Sequence, residues 1–174
     1  MDPILLAWRL PRFADTALRG SIVAALVAGS RPTQQNLVTD ALIRFERIVQ
    51  AQASDGVRPA LLFAQRDRIS ASLRRFLASR FARRLFALRR REIIAVGRSA
   101  RPFDALVRGR RGATYAVLIR TLPTGARRLD AYRAIRTAAG ARPGRAPTGV
   151  VIYDLTDGCA MTLALAAQGA ACAA

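Results

Sequence analysis

At 174 residues the chain is long enough to bury one proper core and too short for two full-sized domains. It is 52% hydrophobic but only 6% aromatic, and its formal charge of +18 comes from 29 arginines set against 11 acids, with no lysine and no histidine. This excludes Ser-His-Asp and Cys-His nucleophile systems and imidazole metal sites, along with lysine Schiff bases and a phosphate-binding Walker lysine. Cys159 and Cys172, with twelve residues between them, have neither zinc-ligand spacing nor the look of a disulfide framework, which points to a reducing, cytoplasmic setting. The first residues, Met1-Asp2-Pro3, carry an acid, and the apolar run that follows is broken by Arg9 and Arg12, a poor match to a signal peptide. The uncharged stretch from Gly158 to Ala174 is rich in Ala and Gly and too weakly hydrophobic to span a bilayer. A soluble protein with no membrane partner is expected, and no small-molecule substrate is evident.

In chain order, residues 4 to 28 are rich in Leu, Ala, Ile and Val, with Pro11 as an interruption, so a short helical turn followed by a helix over about Ala14 to Ala28 is predicted. Gly29-Ser30-Arg31-Pro32 ends that helix. A second helix begins at or just after Thr33, with Leu37, Ala41, Leu42, Phe45, Ile48 and Val49 at helical spacing. Ser54-Asp55-Gly56 and Pro59 mark a loop, and a long helix is predicted from Arg58 to Arg90, with Ile69, Leu73, Phe76, Leu77, Phe81, Leu85 and Leu88 on one face. Its other face is almost pure arginine: Arg66, Arg68, Arg74, Arg75, Arg80, Arg83, Arg84, Arg89, Arg90 and Arg91, with the single acid Asp67. Like charges at this spacing repel by a few tenths of a kcal/mol per pair, about the size of one favourable helix pair, so such a face is more stable beside an anion.

From Glu92 the pattern turns to strands. Glu92–Gly97, Phe103–Val107 and Thr114–Arg120 read as a three-stranded meander, with Arg108-Gly109-Arg110-Arg111-Gly112 as the hairpin loop between the second and third. Leu122-Pro123-Thr124-Gly125 breaks the sheet, Arg127 to Ala139 has helical rhythm through Leu129, Tyr132 and Ile135, and Val150–Leu155 is a fourth strand. Thr156-Asp157-Gly158 turns the chain into a possible fifth element around Met161 to Leu165. The expected class is α/β in the α+β sense, with N-terminal helices followed by a small mixed sheet: an N-terminal helical extension (1–57) and an α/β domain (58–174), together forming one compact unit. A crossover helix after a meander returns the chain to pair with the same sheet.

The order helix, three strands, helix, strand, with Arg101-Pro102-Phe103-Asp104 opening the second strand, Tyr115–Thr121 as the third and Arg128–Ile135 in the following helix, resembles the PD-(D/E)XK nuclease-like, or restriction-endonuclease-like, fold over about residues 58–165. The resemblance implies that Asp104 stands where the family's metal-binding aspartate would be. The acid and lysine of the third-strand triplet then fall on Leu118 and Arg120, and Glu46 is the candidate for the family's additional glutamate. Leu118 offers no oxygen to a divalent cation, and arginine does not deprotonate to shuttle a proton. The resemblance therefore implies a nuclease-like fold with a degenerate site. Asp104 is expected to be a hydrogen-bonded structural acid or a neighbour of Arg101, and no cofactor is expected.

What remains is a grip on phosphates. Arginine forks bidentately onto phosphate oxygens, and phosphate-led binding falls steeply with salt. The candidate nucleic-acid-binding residues form two groups, Arg74, Arg75, Arg80, Arg83, Arg84, Arg89, Arg90 and Arg91 on the helical face and Arg108, Arg110 and Arg111 at the hairpin tip. Trp8, Tyr115, Tyr132 and Tyr153 are expected in the core or at its boundary rather than on a stacking platform. The expectation is a noncatalytic, sequence-tolerant nucleic-acid-binding subunit of a DNA- or RNA-processing assembly. One alternative is an active nuclease dependent on Mg²⁺ or Mn²⁺, using Asp104, Glu46 and a third ligand such as Glu92 or Asp154. Another is a scaffold subunit docking a protein partner through Leu5, Leu6, Trp8, Leu10, Ile22, Val23, Leu26 and Val27.

Overall fold

A computed structural model of the chain describes residues 3–52, 58–97, 103–122, 125–140 and 147–165. The chain divides into two compact units, Met1–Ala87 and Leu88–Ala174. The division thus falls after residue 87 rather than after residue 57, because the third helix packs with the two before it.

The first unit is helical. Helix α1 (Pro3–Ala28) continues through Pro11, where an interruption was expected. A proline inside a helix costs about 3 kcal/mol through a lost N–H bond and a clash with the preceding turn. Leu10, Leu18, Ile22 and Leu26 lie on one stripe of α1 and are at most 5% exposed. At about 1.5–3 kcal/mol for each such side chain, packing this stripe against α2 (Gln34–Gln52) and α3 (Pro59–Ala78) outweighs the proline. Thr33 caps α2, its Oγ1 accepting from the Asn36 amide at 3.2 Å, and Leu37, Ala41, Phe45 and Val49 form the buried stripe.

The single helix expected over 58–90 is interrupted at Ser79. This residue is extended (φ −68°, ψ 150°), its hydroxyl donates to the Phe76 carbonyl at 2.6 Å and accepts from the Ala82 amide at 3.0 Å. A serine that serves both the carbonyl of one helix and the amide of the next ends the first and starts the second. Helix α4 (Arg80–Phe86) follows, then a 3-10 turn at Arg90–Glu92. The break lets Phe76 meet Phe81 and Phe86 edge to face, both at 6.2 Å between ring centres.

The second unit is a five-stranded sheet in sequence order: β1 (Ile93–Val96), β2 (Ala105–Arg108), β3 (Thr114–Arg120), β4 (Gly149–Asp154) and β5 (Ala160–Ala164). The meander β1-β2-β3 is antiparallel. Helix α5 (Ala126–Gly140) then carries the chain to β4, which lies parallel to β3 with Leu118 opposite Ile152, and β5 closes the sheet antiparallel to β4. The mixed α/β class read from the sequence is the class observed. One core of this unit gathers Phe103, Ala116, Leu118, Leu122, Val150 and Ile152 under Ala131, Tyr132, Ile135 and Ala139 of α5. Val117, Ile119 and Tyr153 are also buried.

Candidate functional site

Asp104 sits immediately before β2, where its backbone bridges two strands, donating to the Val117 carbonyl at 2.9 Å and accepting from the Gly97 amide at 2.8 Å. Its side chain is 1% exposed. One carboxylate oxygen accepts from the Ile119 amide at 2.7 Å and from the Arg120 guanidinium, whose same nitrogen also donates to the Ile119 carbonyl at 2.8 Å. A buried carboxylate is stable when a backbone donor and a cation both satisfy it. Leu118, in the position of the resemblance's second acid, is 5% exposed and part of the aliphatic cluster beneath α5. Arg101, the other neighbour expected for Asp104, lies outside the described residues.

The further acids proposed as metal ligands serve other purposes. Glu46 pairs with Arg66 at 2.6 Å beside a cleft of about 180 Å³ lined by Phe45, Val49, Gln50 and Leu62. Glu92 accepts from the Arg89 amide at 2.6 Å and so caps its own turn. Asp154, buried, accepts from the Leu122 and Thr156 amides at 3.2 and 2.8 Å and ties the end of β4 to its neighbours. Among the described residues no three of His, Cys, Asp and Glu are grouped to hold a metal ion. The described residues around Asp104 do not fit Mg²⁺ or Mn²⁺: an oxygen of its carboxylate already accepts from an amide and a guanidinium, and the adjoining position, Leu118, is hydrocarbon.

The arginines divide by their partners. Asp15, Asp40, Glu46, Asp104 and Asp130 pair with Arg68, Arg44, Arg66, Arg120 and Arg133. Burial pushes the Asp40 carboxyl up, but the hydrogen bond from Arg44 and the charges of Arg44 and Arg47 outweigh it and hold the group below its ordinary value of 3.8. None of these cations belongs to the two candidate groups. Arg74, Arg80, Arg83, Arg84, Arg89, Arg90, Arg91, Arg108 and Arg111 are all exposed and have no ion-pair partner among the described residues. Arg75 is exposed as well, and the side chain of Arg110 lies outside the described set, as do those of Leu5 and Leu6.

The helical group is not one face of one helix. Arg74 and Arg75 lie on α3, opposite the buried Ser72, Leu73 and Phe76; Arg80, Arg83 and Arg84 lie on α4, opposite Ala82 and Leu85; Arg89–Arg91 belong to the second unit. Arg75, Arg83 and Arg84 occupy last turns, where a cation is favoured by the helix dipole by about 0.3–1 kcal/mol each. That explains their tolerance at the ends of these helices but not Arg74 or Arg80. Arginines outnumber acids fourteen to six in residues 1–87 and fifteen to five in residues 88–174, so the positive bias belongs to both units.

Of the aromatic residues expected in the core or at its boundary, Tyr153 is buried and Tyr115 and Tyr132 are half-buried, but Trp8 is 80% exposed on α1. The helical stripe of α1 turns Leu10 inward, and Trp8, two positions away, falls on the other side. No helix among the described residues is long and apolar enough to cross a membrane. The chain matches no protein-family model, no curated protein and no solved structure.

Proposed function

We propose that this chain is a noncatalytic nucleic-acid-binding protein that grips the phosphate backbone without reading sequence, acting as a subunit of a larger DNA- or RNA-processing assembly. The observation that carries this reading is the partition of charge: the ion pairs named above engage arginines outside the candidate groups, while Arg80, Arg83 and Arg84 of the first unit and Arg108 and Arg111 of the second stay exposed, with no acid paired to them among the described residues. Holding like charges together is unfavourable until they meet a polyanion, whose condensed counterions they displace into solution. The meander, crossover helix and parallel fourth strand agree with the order that the PD-(D/E)XK resemblance implies, and the Asp104–Arg120 pair supports a degenerate form of that fold. Trp8 and Val27, 80% and 68% exposed on α1, favour a protein contact within the assembly.

The test is equilibrium binding of labelled duplex and single-stranded DNA and of RNA over a range of salt. If about six of these arginines meet phosphates, the logarithm of affinity falls against log salt with a slope of roughly −5, or about a thousandfold between 50 and 200 mM. Arg83→Ala/Arg84→Ala weakens every sequence alike and makes the slope shallower by about two. Binding indifferent to salt, or unaltered in the double variant, overturns the proposal.

A further inference from the structure

The loop between β2 and β3 departs from what its turn chemistry favours. Arg108 pairs with Thr114 at the end of the ladder, and the Gly109 amide donates to the Ala113 carbonyl at 2.7 Å, closing the loop. At its tip two consecutive residues have positive φ, Arg111 at 57° and Gly112 at 77°. Positive φ at both central positions is what a type I′ turn requires, and Asn-Gly, Asp-Gly or Gly-Gly are the pairs that adopt it readily. Gly112 fits. Arg111 does not: among the described residues it is the one non-glycine with positive φ, its side chain is exposed, and it has no ion-pair partner among the described residues.

The loop is also locked from below. The Tyr115 ring lies so close over Gly109 that a Cβ there would meet its Cε2 at 2.5 Å and its Cδ2 at 2.9 Å; the other edge of the ring lies over Gly149 of β4, where a Cβ would meet it at 3.1 Å. The Thr148 amide donates to the Thr114 carbonyl at 2.7 Å, and the Thr114 amide donates to the Thr148 hydroxyl at 3.2 Å, tying the base of the hairpin to the start of β4. Two glycines thus make room for one aromatic ring, and that ring fixes the direction in which the tip leaves the sheet. A residue held in a sparsely populated backbone conformation, on a base that over-determines it, is a feature of sites that must be organised before their ligand arrives.

We propose that the β2–β3 tip is a preorganised phosphate-contacting element, in which Arg111 is a binding residue for the nucleic-acid backbone and Tyr115, seated between Gly109 and Gly149, is the positioning residue that aims it. This rests on the nucleic-acid reading above and adds to it that the tip binds as a fixed element rather than as diffuse charge. Rigid presentation avoids the ordering cost that a flexible basic loop meets on binding.

Two variants separate the roles of charge and position, each measured on the full chain with a labelled mixed-sequence duplex DNA and with thermal unfolding followed in parallel. Arg111→Gly suits the left-handed backbone, so it is expected to fold at least as stably as the parent. Its salt slope should be shallower by about one and its affinity near 0.1 M salt about eightfold weaker, the loss for one phosphate contact. Gly109→Ala removes no charge, yet its Cβ must displace the Tyr115 ring or the tip; a folded variant with weaker binding and a shallower slope supports the positioning role. If both variants fold and bind like the parent while Arg83→Ala/Arg84→Ala still weakens binding, the tip is an ordinary turn and this inference falls while the broader reading stands. If the parent chain itself shows no salt-dependent binding, the broader reading falls with it.

Discussion

Asp104→Ala is the substitution that most directly tests whether the centre of the sheet is a structural ion pair or a ligand site. It removes the acceptor of the Ile119 amide on a residue that is fully buried, and an unsatisfied buried donor costs about 1–3 kcal/mol. It also leaves Arg120 without its counter-charge. That guanidinium is 24% exposed and keeps its bond to the Ile119 carbonyl, so this second cost is well below the 3–5 kcal/mol of a fully buried charge stripped of its partner. A total of about 3 kcal/mol is expected, lowering the melting temperature of a unit this size by about 12–24 °C. Arg120→Met should be at least as damaging, because the carboxylate it strands is 1% exposed. The double variant should cost less than Arg120→Met alone, since no uncompensated charge remains. The chain provides its own reporters: Tyr115, Tyr132 and Tyr153 all fall in the sheet unit and the lone Trp8 in the helical one, so tyrosine near-UV circular dichroism follows the affected unit while tryptophan fluorescence controls for the other. If Asp104→Ala leaves the tyrosine transition unchanged or raises it, the carboxylate is not satisfied internally. An acid kept available for a ligand behaves that way, because removing a functional group commonly stabilises its host.

Pro11→Ala should stabilise the helical unit by about 1–3 kcal/mol, because alanine restores the N–H that proline lacks inside a continuous helix. An unchanged or lower tryptophan-monitored midpoint would show that the packing of Leu10 and Ala14 depends on a bend at this residue. Asp40, whose carboxyl titrates below 3.8 in the fold, contributes stability that is present above that pH and lost as the pH falls through the folded value. The stability difference between the parent and Asp40→Asn should therefore be largest above about pH 4 and shrink as the solution is acidified; a difference that grows on acidification would refute the cause given for the shift.

Most of the sheet unit was legible because its strands are short β-branched runs separated by glycine-rich turns, signals that act locally. β3 is Thr114–Arg120 in both reading and structure, and α5 differs by one residue at each end. The helical unit was less so, for two opposite reasons. At Pro11 a strong local breaker is overridden by the tertiary burial of Leu10, Leu18, Ile22 and Leu26, which no local rule weighs. At Ser79 a weak signal inside an unbroken apolar rhythm ends a helix, because one hydroxyl can serve the Phe76 carbonyl and the Ala82 amide together. A serine followed three residues later by a small residue of a new apolar stripe was the available clue. For the candidate site, the departure at Leu118 and the charge bias could be read directly. The seat of Tyr115 could not, since Gly109 and Gly149 meet the same ring only once β3 and β4 lie side by side.

Under the nuclease-like reading, the position of Leu118 also bears on whether catalysis could return by a simple change. A carboxylate introduced there would enter a cluster of Phe103, Ala116, Leu122, Val150 and Ile152, all at most 7% exposed, where a charge costs several kcal/mol or is forced neutral unless it is paired. Asp104 could not compensate, because releasing it to a metal would strand both the Ile119 amide and the Arg120 guanidinium. Each half of a restored site would thus have to be built against the packing that now stabilises the sheet. The exposed arginines face no such conflict. They lie opposite buried stripes on α3 and α4 of the first unit and at a loop tip of the second, so each can be altered without disturbing the core of its own unit.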